Sequence, residues 1–113
     1  KELIKFKGMP VAPAELEGLL LQHTNIKDAA VVPIKDDGEY GELPRAYVVL
    51  NGSEEDNVTA DDIVQWVKER VAPHKRLRGG VVFIDEIPKS ASGKILRRVL
   101  RDKCMEEENG STQ

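Results

Sequence analysis

A short loop of small residues that ends in a lysine is the part of this sequence best suited to chemistry. Residues 88–94 read Pro-Lys-Ser-Ala-Ser-Gly-Lys, and a basic helical pattern follows at once. Gly93 permits backbone conformations that other residues avoid, and Ser92 adds little bulk beside it. Lys94 can therefore extend a compact positive charge on a flexible stem, and phosphate oxygens are the usual partners of such a charge. We expect Lys94 to be the catalytic residue and Ser92 and Gly93 to support its loop. The alternative, which the local pattern alone favours, is that Lys94 is an exposed surface lysine.

The composition is typical of one soluble globular domain. The chain has 113 residues, of which 40% are hydrophobic and 33% are charged, and this size permits one modest core. No apolar run approaches the ~20 residues of a membrane helix, so we expect no membrane insertion. The single cysteine, Cys104, excludes an internal disulfide and fits a reducing compartment. His23 and His74 lie far apart with no cysteine cluster, so we expect no metal site.

The positions of the charged residues are more informative about ligands than the net charge is. A net charge of −3 gives no general attraction to nucleic acid, so we expect no nucleic-acid partner. Positive charge nevertheless gathers in residues 1–7, 75–78 and 89–103. If two or three of these clusters converge in the fold, they could bind an anionic ligand. The alternative is that the basic side chains only solvate surfaces, and the local pattern favours this for residues 75–78.

Apolar patterns predict the strands that hold this loop. Unbroken apolar runs predict three strands, at residues 29–34, 46–50 and 81–84. The second run should be the central strand, buried on both faces. The polar segment between the first two strands, residues 35–43, should be an exposed loop. Residues 1–12 alternate loosely and turn at Gly8, which predicts a β-hairpin.

Helical spacing of apolar residues also occurs three times. Pro13 should open a helix that runs to about His23, which we interpret as a packed or capping residue. Thr59, with Asp62 three residues later, resembles the capping box of a second helix, and Pro73 should stop that helix. A last helix should follow the lysine loop to about residue 103. In that helix we expect a buried face and a solvated face, the first made by Ile95, Leu96, Val99 and Leu100 and the second by Arg97, Arg98 and Arg101.

These elements predict an α+β fold of one domain over residues 1–103. An N-terminal β-hairpin precedes a small sheet of about three strands flanked by helices, in the order β-hairpin, α, β, β, α, β, α. The polar residues 104–113 have no periodicity, and we expect this tail to be disordered.

Two long motifs resemble the signatures of one enzyme family. Residues 1–17, KELIKFKGMPVAPAELE, are similar to the segment that begins the small C-terminal domain of adenylate-forming enzymes. This superfamily includes acyl-CoA synthetases, firefly-type luciferases and nonribosomal peptide adenylation domains. Residues 88–98, PKSASGKILRR, are similar to the signature that ends the domain. The resemblance covers nearly the whole chain and is strongest to 4-coumarate–CoA ligase-like enzymes.

The resemblance implies a two-step ligase reaction. A carboxylate attacks the α-phosphate of ATP to give an acyl-adenylate and pyrophosphate, and the thiol of coenzyme A then displaces AMP. In this family a large N-terminal domain of the same chain holds most of the ATP and Mg²⁺ site, and the small domain rotates on it between the two steps. One face of the small domain brings in the catalytic lysine for adenylation, and the opposite face lines the thiol tunnel for transfer. The implied partners are that large domain, ATP, a carboxylic acid and coenzyme A. The small domain alone should be inactive.

The resemblance also implies roles for individual residues. Lys94 takes the position of the adenylation lysine, near oxygens on which charge develops. Lys1 falls at the hinge position, and Lys5 matches a lysine near the adenylate in the second state. Lys7 and Gly8 match the turn that contacts coenzyme A. The residues alone leave open a second interpretation, in which Lys5 and Lys7 only solvate the outer face of a strand.

Pro10 departs from the family pattern. Many coumarate-ligase-like members have a glutamine there that can hydrogen-bond to the adenylate, whereas proline has no polar side chain and no backbone N–H. A glutamine role is therefore not carried over to this chain.

Two other functions and the compartment are further hypotheses. The chain could be a stand-alone docking module without catalysis, or the equivalent domain of an enzyme that loads a carrier protein. The final residues Ser111-Thr112-Gln113 are not a Ser-Lys-Leu peroxisomal signal, so we expect a cytoplasmic protein, with the peroxisome as the alternative.

Overall fold

The computed structural model describes residues 3–36, 38, 40–52 and 58–102. The hinge position Lys1, Cys104 and the predicted tail at 104–113 lie outside these residues. Within them the predicted α+β fold is confirmed, with a hairpin, a three-stranded sheet and flanking helices. No helix in the described ranges is both long and apolar enough to cross a membrane.

The predicted hairpin is made by strands β1 (Ile4–Phe6) and β2 (Met9–Val11), which pair antiparallel. Its turn consists of Lys7 and Gly8, with φ of 53° and 80°. Two consecutive positive φ values match the right-handed twist of the flanking strands, and a glycine adopts such a value at no steric cost.

The main sheet has the order β3-β4-β5, with β3 at Ile26–Lys35, β4 at Glu42–Leu50 and β5 at Val81–Phe83. Strand β4 pairs antiparallel with β3 and parallel with β5. Residues 46–49 are buried, so the prediction of a central strand buried on both faces is confirmed. The predicted loop at 35–43 is shorter than expected, because Glu42 and Leu43 pair with the end of β3.

Helix α1 (Pro13–Leu20) begins at the predicted proline and ends three residues before His23. The His23 ring instead meets Trp66 edge-on, with 4.9 Å between ring centroids, and its Nδ1 accepts a hydrogen bond from the Asn25 N–H at 3.1 Å. The packed or capping role expected for this histidine is therefore confirmed.

Helix α2 (Ala60–Lys68) begins with the predicted capping box. The Asp62 N–H donates to Thr59 Oγ1 at 3.1 Å, and the Thr59 N–H donates to Asp62 Oδ2 at 3.0 Å. The helix ends at Lys68, well before Pro73, which instead opens a 3-10 turn at Pro73–Lys75. The prediction that Pro73 ends this helix was therefore wrong, because the helix ends five residues earlier.

The sheet separates two hydrophobic clusters, because successive side chains of a strand point to opposite faces. We name the two sides after what packs on them. On the hairpin face, β1, β2, α1 and α2 cover Ala29, Val31, Ala46 and Val48. On the lysine-loop face, Ile87 and Leu100 cover Ala30, Val32, Tyr47 and Val49, with Ile95 packed beside them.

The last helix, α3, spans residues 97–102 of the described chain, and the prediction for its faces was partly wrong. Leu100 is buried as expected, but Leu96 and Val99 are 38% and 48% exposed. The physical reason is that Ile95 and Leu96 precede the helix. Ile95 bridges to Lys89 and the Leu96 N–H donates to the Pro88 carbonyl at 2.9 Å, so the helical period cannot be extended back through them.

Candidate functional site

The lysine loop closes on itself around Ser90. The Ser90 N–H donates to the Lys94 carbonyl at 2.9 Å, and the Lys94 N–H donates to Ser90 Oγ at 3.2 Å. The Gly93 N–H donates to the Ser90 carbonyl at 2.9 Å, and Gly93 has a φ of 90°. The Lys94 side chain is exposed. It extends from a backbone whose N–H and carbonyl groups are both hydrogen-bonded to Ser90.

Ser90 is the support that sequence reasoning missed. The expected support residues were Ser92 and Gly93, and both do lie in this loop, with Ser92 Oγ at 3.0 Å from Ser90 Oγ. A serine that hydrogen-bonds to nearby backbone is a frequent turn device. The signal in the sequence was a serine in the same loop, four residues before Lys94.

The hairpin carries the second group of predicted residues. Lys5, Lys7 and Gly8 are all exposed. The Lys7 N–H donates to the Tyr40 carbonyl at 2.7 Å, and Lys7 Nζ lies over the Tyr40 ring, 5.0 Å from its centroid. Pro10 is exposed on β2, opposite Lys5.

Two of the three basic clusters converge beside the hairpin. The Phe6 and Tyr40 rings are stacked, with centroids 5.0 Å apart and planes at 12°. The Arg78 guanidinium covers Phe6 with its carbon 4.5 Å from the ring centroid, so Arg78 and Lys7 contact the two rings of one stack. Lys75 pairs with Glu15 at 2.8 Å. Contrary to expectation, residues 75–78 thus contact the domain rather than only solvating a loop.

The predicted site residues form two groups. Lys5, Lys7 and Gly8 belong to the hairpin, whereas Lys94 belongs to the loop on the opposite face of the sheet. Throughout the described chain, no three His, Cys, Asp or Glu side chains form a group that could hold a metal ion. The arrangement presents cations on both sides of one small sheet.

Comparison with known proteins identifies the family. A model of the AMP-binding enzyme C-terminal domain matches residues 15–94. The chain belongs to this family. The match ends at Lys94 and begins within α1.

Curated relatives of this AMP-binding enzyme C-terminal domain include proteins named as CoA ligases and a luciferin 4-monooxygenase of Photinus pyralis. A putative acyl-coenzyme A synthetase of Emericella nidulans is 58% identical over 92% of the chain. A 4-coumarate–CoA ligase of Humulus lupulus is 53% identical over 96% of the chain. In both cases the match spans 19% of the relative, so the chain covers about a fifth of the length of these proteins.

One solved enzyme resembles the domain in two liganded forms. The o-succinylbenzoate CoA synthetase of Bacillus subtilis in complex with its acyl-adenylate intermediate is 35% identical, covers 88% of this chain and 19% of its own, and has a TM-score of 0.77. A double mutant of that enzyme bound with a CoA product analogue is 36% identical, with the same coverage and a TM-score of 0.78. The fold is therefore that of the C-terminal domain of an adenylate-forming enzyme.

Proposed function

We propose that this chain is the mobile C-terminal domain of an ATP-dependent, AMP-forming carboxylate–CoA ligase. In one orientation it supplies Lys94 for acyl-adenylate formation, and in the other it presents the hairpin for thioester formation. The observation that carries this proposal is the separation of Lys94 from Lys5, Lys7 and Gly8 by the sheet. One orientation of a rigid domain cannot bring both faces to the same pocket, so two steps that use both require rotation.

Lys94 would act while negative charge develops in adenylation. The carboxylate oxygen bonds to the α-phosphorus as the bond to pyrophosphate breaks, and charge spreads over the surrounding oxygens. An ammonium group on the rigid loop can donate up to three hydrogen bonds there. Docking against a large domain would exclude water from the exposed Lys94 and so strengthen this interaction.

The hairpin would act in the second step, when the thiol sulfur bonds to the acyl carbonyl carbon and AMP leaves. Gly8 has no side chain and sits in an exposed turn, so the pantetheine arm could approach the backbone closely. Lys7, supported by Tyr40, and Lys5 would supply positive charge beside the adenylate and coenzyme A. The CoA-ligase names of the relatives support coenzyme A as the thiol substrate.

The remaining parts of the site would belong to a large N-terminal domain. The chain covers about a fifth of its relatives' length, and the described residues offer no group for Mg²⁺. We therefore expect ATP, Mg²⁺ and the acid to be held mainly by that domain, and the isolated chain to be inactive.

The test uses the complete ligase, in which this chain follows its large domain, and assays the half-reactions separately. We expect Lys94→Ala to lower acid-dependent ATP–pyrophosphate exchange by about 10²–10³-fold, the usual effect of losing one transition-state charge partner. Thioester formation from preformed acyl-adenylate should change little. Lys68→Ala, an exposed lysine in α2, is the matched control and should leave both half-reactions unchanged.

The outcomes separate the competing functions. Survival of both half-reactions in Lys94→Ala would refute the adenylation role and mean that the loop is structural. Thioester formation with a phosphopantetheinylated carrier protein, in preference to coenzyme A, would favour the carrier-loading enzyme instead.

A further inference from the structure

A buried carboxylate lies at the border between the two faces of the sheet. Glu17 of α1 is 7% exposed, and it is the one buried charged side chain among the residues that the structure describes. Its Oε2 accepts a hydrogen bond from the Val31 N–H at 2.8 Å. Arg97 Nη2 donates to Oε1 at 2.6 Å and to Oε2 at 2.8 Å. These short bonds compensate for removing the carboxylate from water.

Arg97 also binds the backbone of the edge strand. Its Nε donates to the Val31 carbonyl at 3.3 Å, so side chains engage both polar backbone groups of Val31. Strand β3 lies at the edge of the sheet, where the outer N–H and C=O groups have no neighbouring strand. Glu17, Val31 and Arg97 form a closed set of hydrogen bonds, which we name the edge clasp.

The edge clasp joins the two faces of the domain. Glu17 belongs to α1, which packs on the hairpin face, and Arg97 belongs to α3, which packs on the lysine-loop face. Only two residues separate Arg97 from Lys94. The second of them, Leu96, is held by its hydrogen bond to the Pro88 carbonyl. A shift of Arg97 would therefore move the backbone that carries Lys94.

A second ion pair holds the other side of the loop. Lys89 Nζ lies 2.7 Å from Asp28 Oδ2, and Asp28 belongs to β3. The two side chains are 39% and 26% exposed, whereas those of Arg97 and Glu17 are 29% and 9% exposed. Because exposed ion pairs contribute little, the edge clasp is the stronger constraint on the loop.

We infer that Glu17 and Arg97 are positioning residues for Lys94. This inference rests on the proposed adenylation role of Lys94. The edge clasp fixes where the Lys94 backbone lies relative to the sheet, and thereby where the ammonium group meets the reacting oxygens. A displacement of about 1 Å in a catalytic group can reduce a rate by about 10²-fold.

The experiment uses the complete ligase with Glu17→Gln and Arg97→Gln. We expect each variant to lower kcat for acid-dependent ATP–pyrophosphate exchange by at least about 10-fold, a modest part of the loss that misplacement can cause. KM for ATP should change by less than about 2-fold, because the substrates are bound elsewhere. Thioester formation from preformed acyl-adenylate should stay within about 2-fold of the unmodified enzyme, because the hairpin does not depend on the lysine loop.

Two exposed neighbours provide matched controls. Glu15→Gln removes a carboxylate from the same helix as Glu17 and breaks the ion pair with Lys75. Arg98→Gln removes the exposed guanidinium next to Arg97. Both controls should leave the two half-reactions unchanged.

A structural role alone would give a different result. If the edge clasp only stabilised the fold, each variant would lower both half-reactions by the same factor, and this outcome would overturn the inference. Should both single variants fail to fold, the double variant Glu17→Leu/Arg97→Met decides, because an apolar pair can replace a buried ion pair without loss of stability. If that double variant folds and catalyses ATP–pyrophosphate exchange as fast as the unmodified enzyme, the inference is also overturned.

Lys94→Ala, assayed in parallel, separates the two proposals. If Lys94→Ala leaves exchange intact, the proposed function fails and the inference fails with it. If Lys94→Ala lowers exchange while the edge-clasp variants do not, only the inference fails.

Discussion

A lysine that acts as a point charge depends on the backbone beneath it. The side chain of Lys94 is long and exposed, so its own packing does not fix its position. The surrounding loop does, because Ser90 binds both polar backbone groups of Lys94. The loop closes only because Gly93 adopts a φ of 90°, which is costly for residues with a Cβ atom.

We predict that Gly93→Ala destabilises the domain. Apart from its two chain neighbours, no described residue has an atom within 4 Å of the position that a Cβ would take at Gly93, so the penalty is conformational rather than steric. The free energy of unfolding should fall by about 1–2 kcal/mol, the usual cost of placing an L-residue in a left-handed conformation. Urea unfolding of the chain measures the change.

Gly18 provides the matched control for this prediction. It lies in α1 without a positive φ, and a Cβ built there also meets no atom within 4 Å. Gly18→Ala should raise the free energy of unfolding by about 0.5–1 kcal/mol, because alanine loses less backbone freedom on folding. If Gly93→Ala were as stabilising as Gly18→Ala, the loop would not require a glycine.

At the scale of elements, the hairpin needs support from outside its own strands. Strands β1 and β2 have 3 residues each, and an isolated hairpin of this kind is marginally stable. Ile4, Phe6 and Val11 anchor it to the core. Tyr40 completes the support, since its carbonyl binds the Lys7 N–H and its ring stacks on Phe6.

We predict that Tyr40→Ala weakens the thioester-forming step. The change removes the stacking on Phe6 and the contact of the Lys7 ammonium with the ring, each contributing about 0.5–1 kcal/mol or somewhat more. Lys7 should become less well ordered, and KM for coenzyme A should rise by about 3–10-fold, as those energies imply. Steady-state kinetics of the complete ligase measures this rise.

Tyr40→Phe is the control for the hairpin. It keeps the ring, the stacking and the cation contact, so KM for coenzyme A should stay within about 2-fold of the unmodified value. An equal effect of Tyr40→Phe and Tyr40→Ala would show that the hydroxyl group, rather than the ring, supports the turn.

At the scale of the whole molecule, the sheet divides the core into two parts. Ile4 belongs to the cluster on the hairpin face, and Ile87 belongs to the cluster on the lysine-loop face. Under the proposed function, this division would let the domain use either face without rearranging the other. The edge clasp is a polar connection between the two sides, in addition to the sheet itself.

We predict that Ile4→Val and Ile87→Val destabilise the chain independently. Each should lower the free energy of unfolding by about 0.5–1.5 kcal/mol, the usual effect of deleting one buried methyl group. In the double variant the two effects should add to within about 0.5 kcal/mol, because the side chains belong to different clusters. Denaturant unfolding of all four proteins gives the coupling, and a value above about 1 kcal/mol would mean that the two clusters pack as one.

The sequence by itself determined the features that depend on near neighbours along the chain. The hairpin turn at Lys7 and Gly8, the capping box of Thr59 and Asp62, and the central position of residues 46–50 were all predicted. Local backbone preferences and unbroken apolar runs determine these features, so they can be predicted from the sequence without knowledge of the fold. The family was also predictable, because its signatures are contiguous segments.

Only the tertiary structure decided which distant side chains meet. Arg97 was expected to face water, yet it binds Glu17 on the other side of an edge strand. Leu96 was expected to be buried, but the bridge between Lys89 and Ile95 places it before α3, where it is 38% exposed. The physical reason is that a charge or an apolar side chain specifies only what kind of partner it requires. Which partner it finds depends on which distant segment the fold brings beside it, as β3 brings Val31 between Glu17 and Arg97.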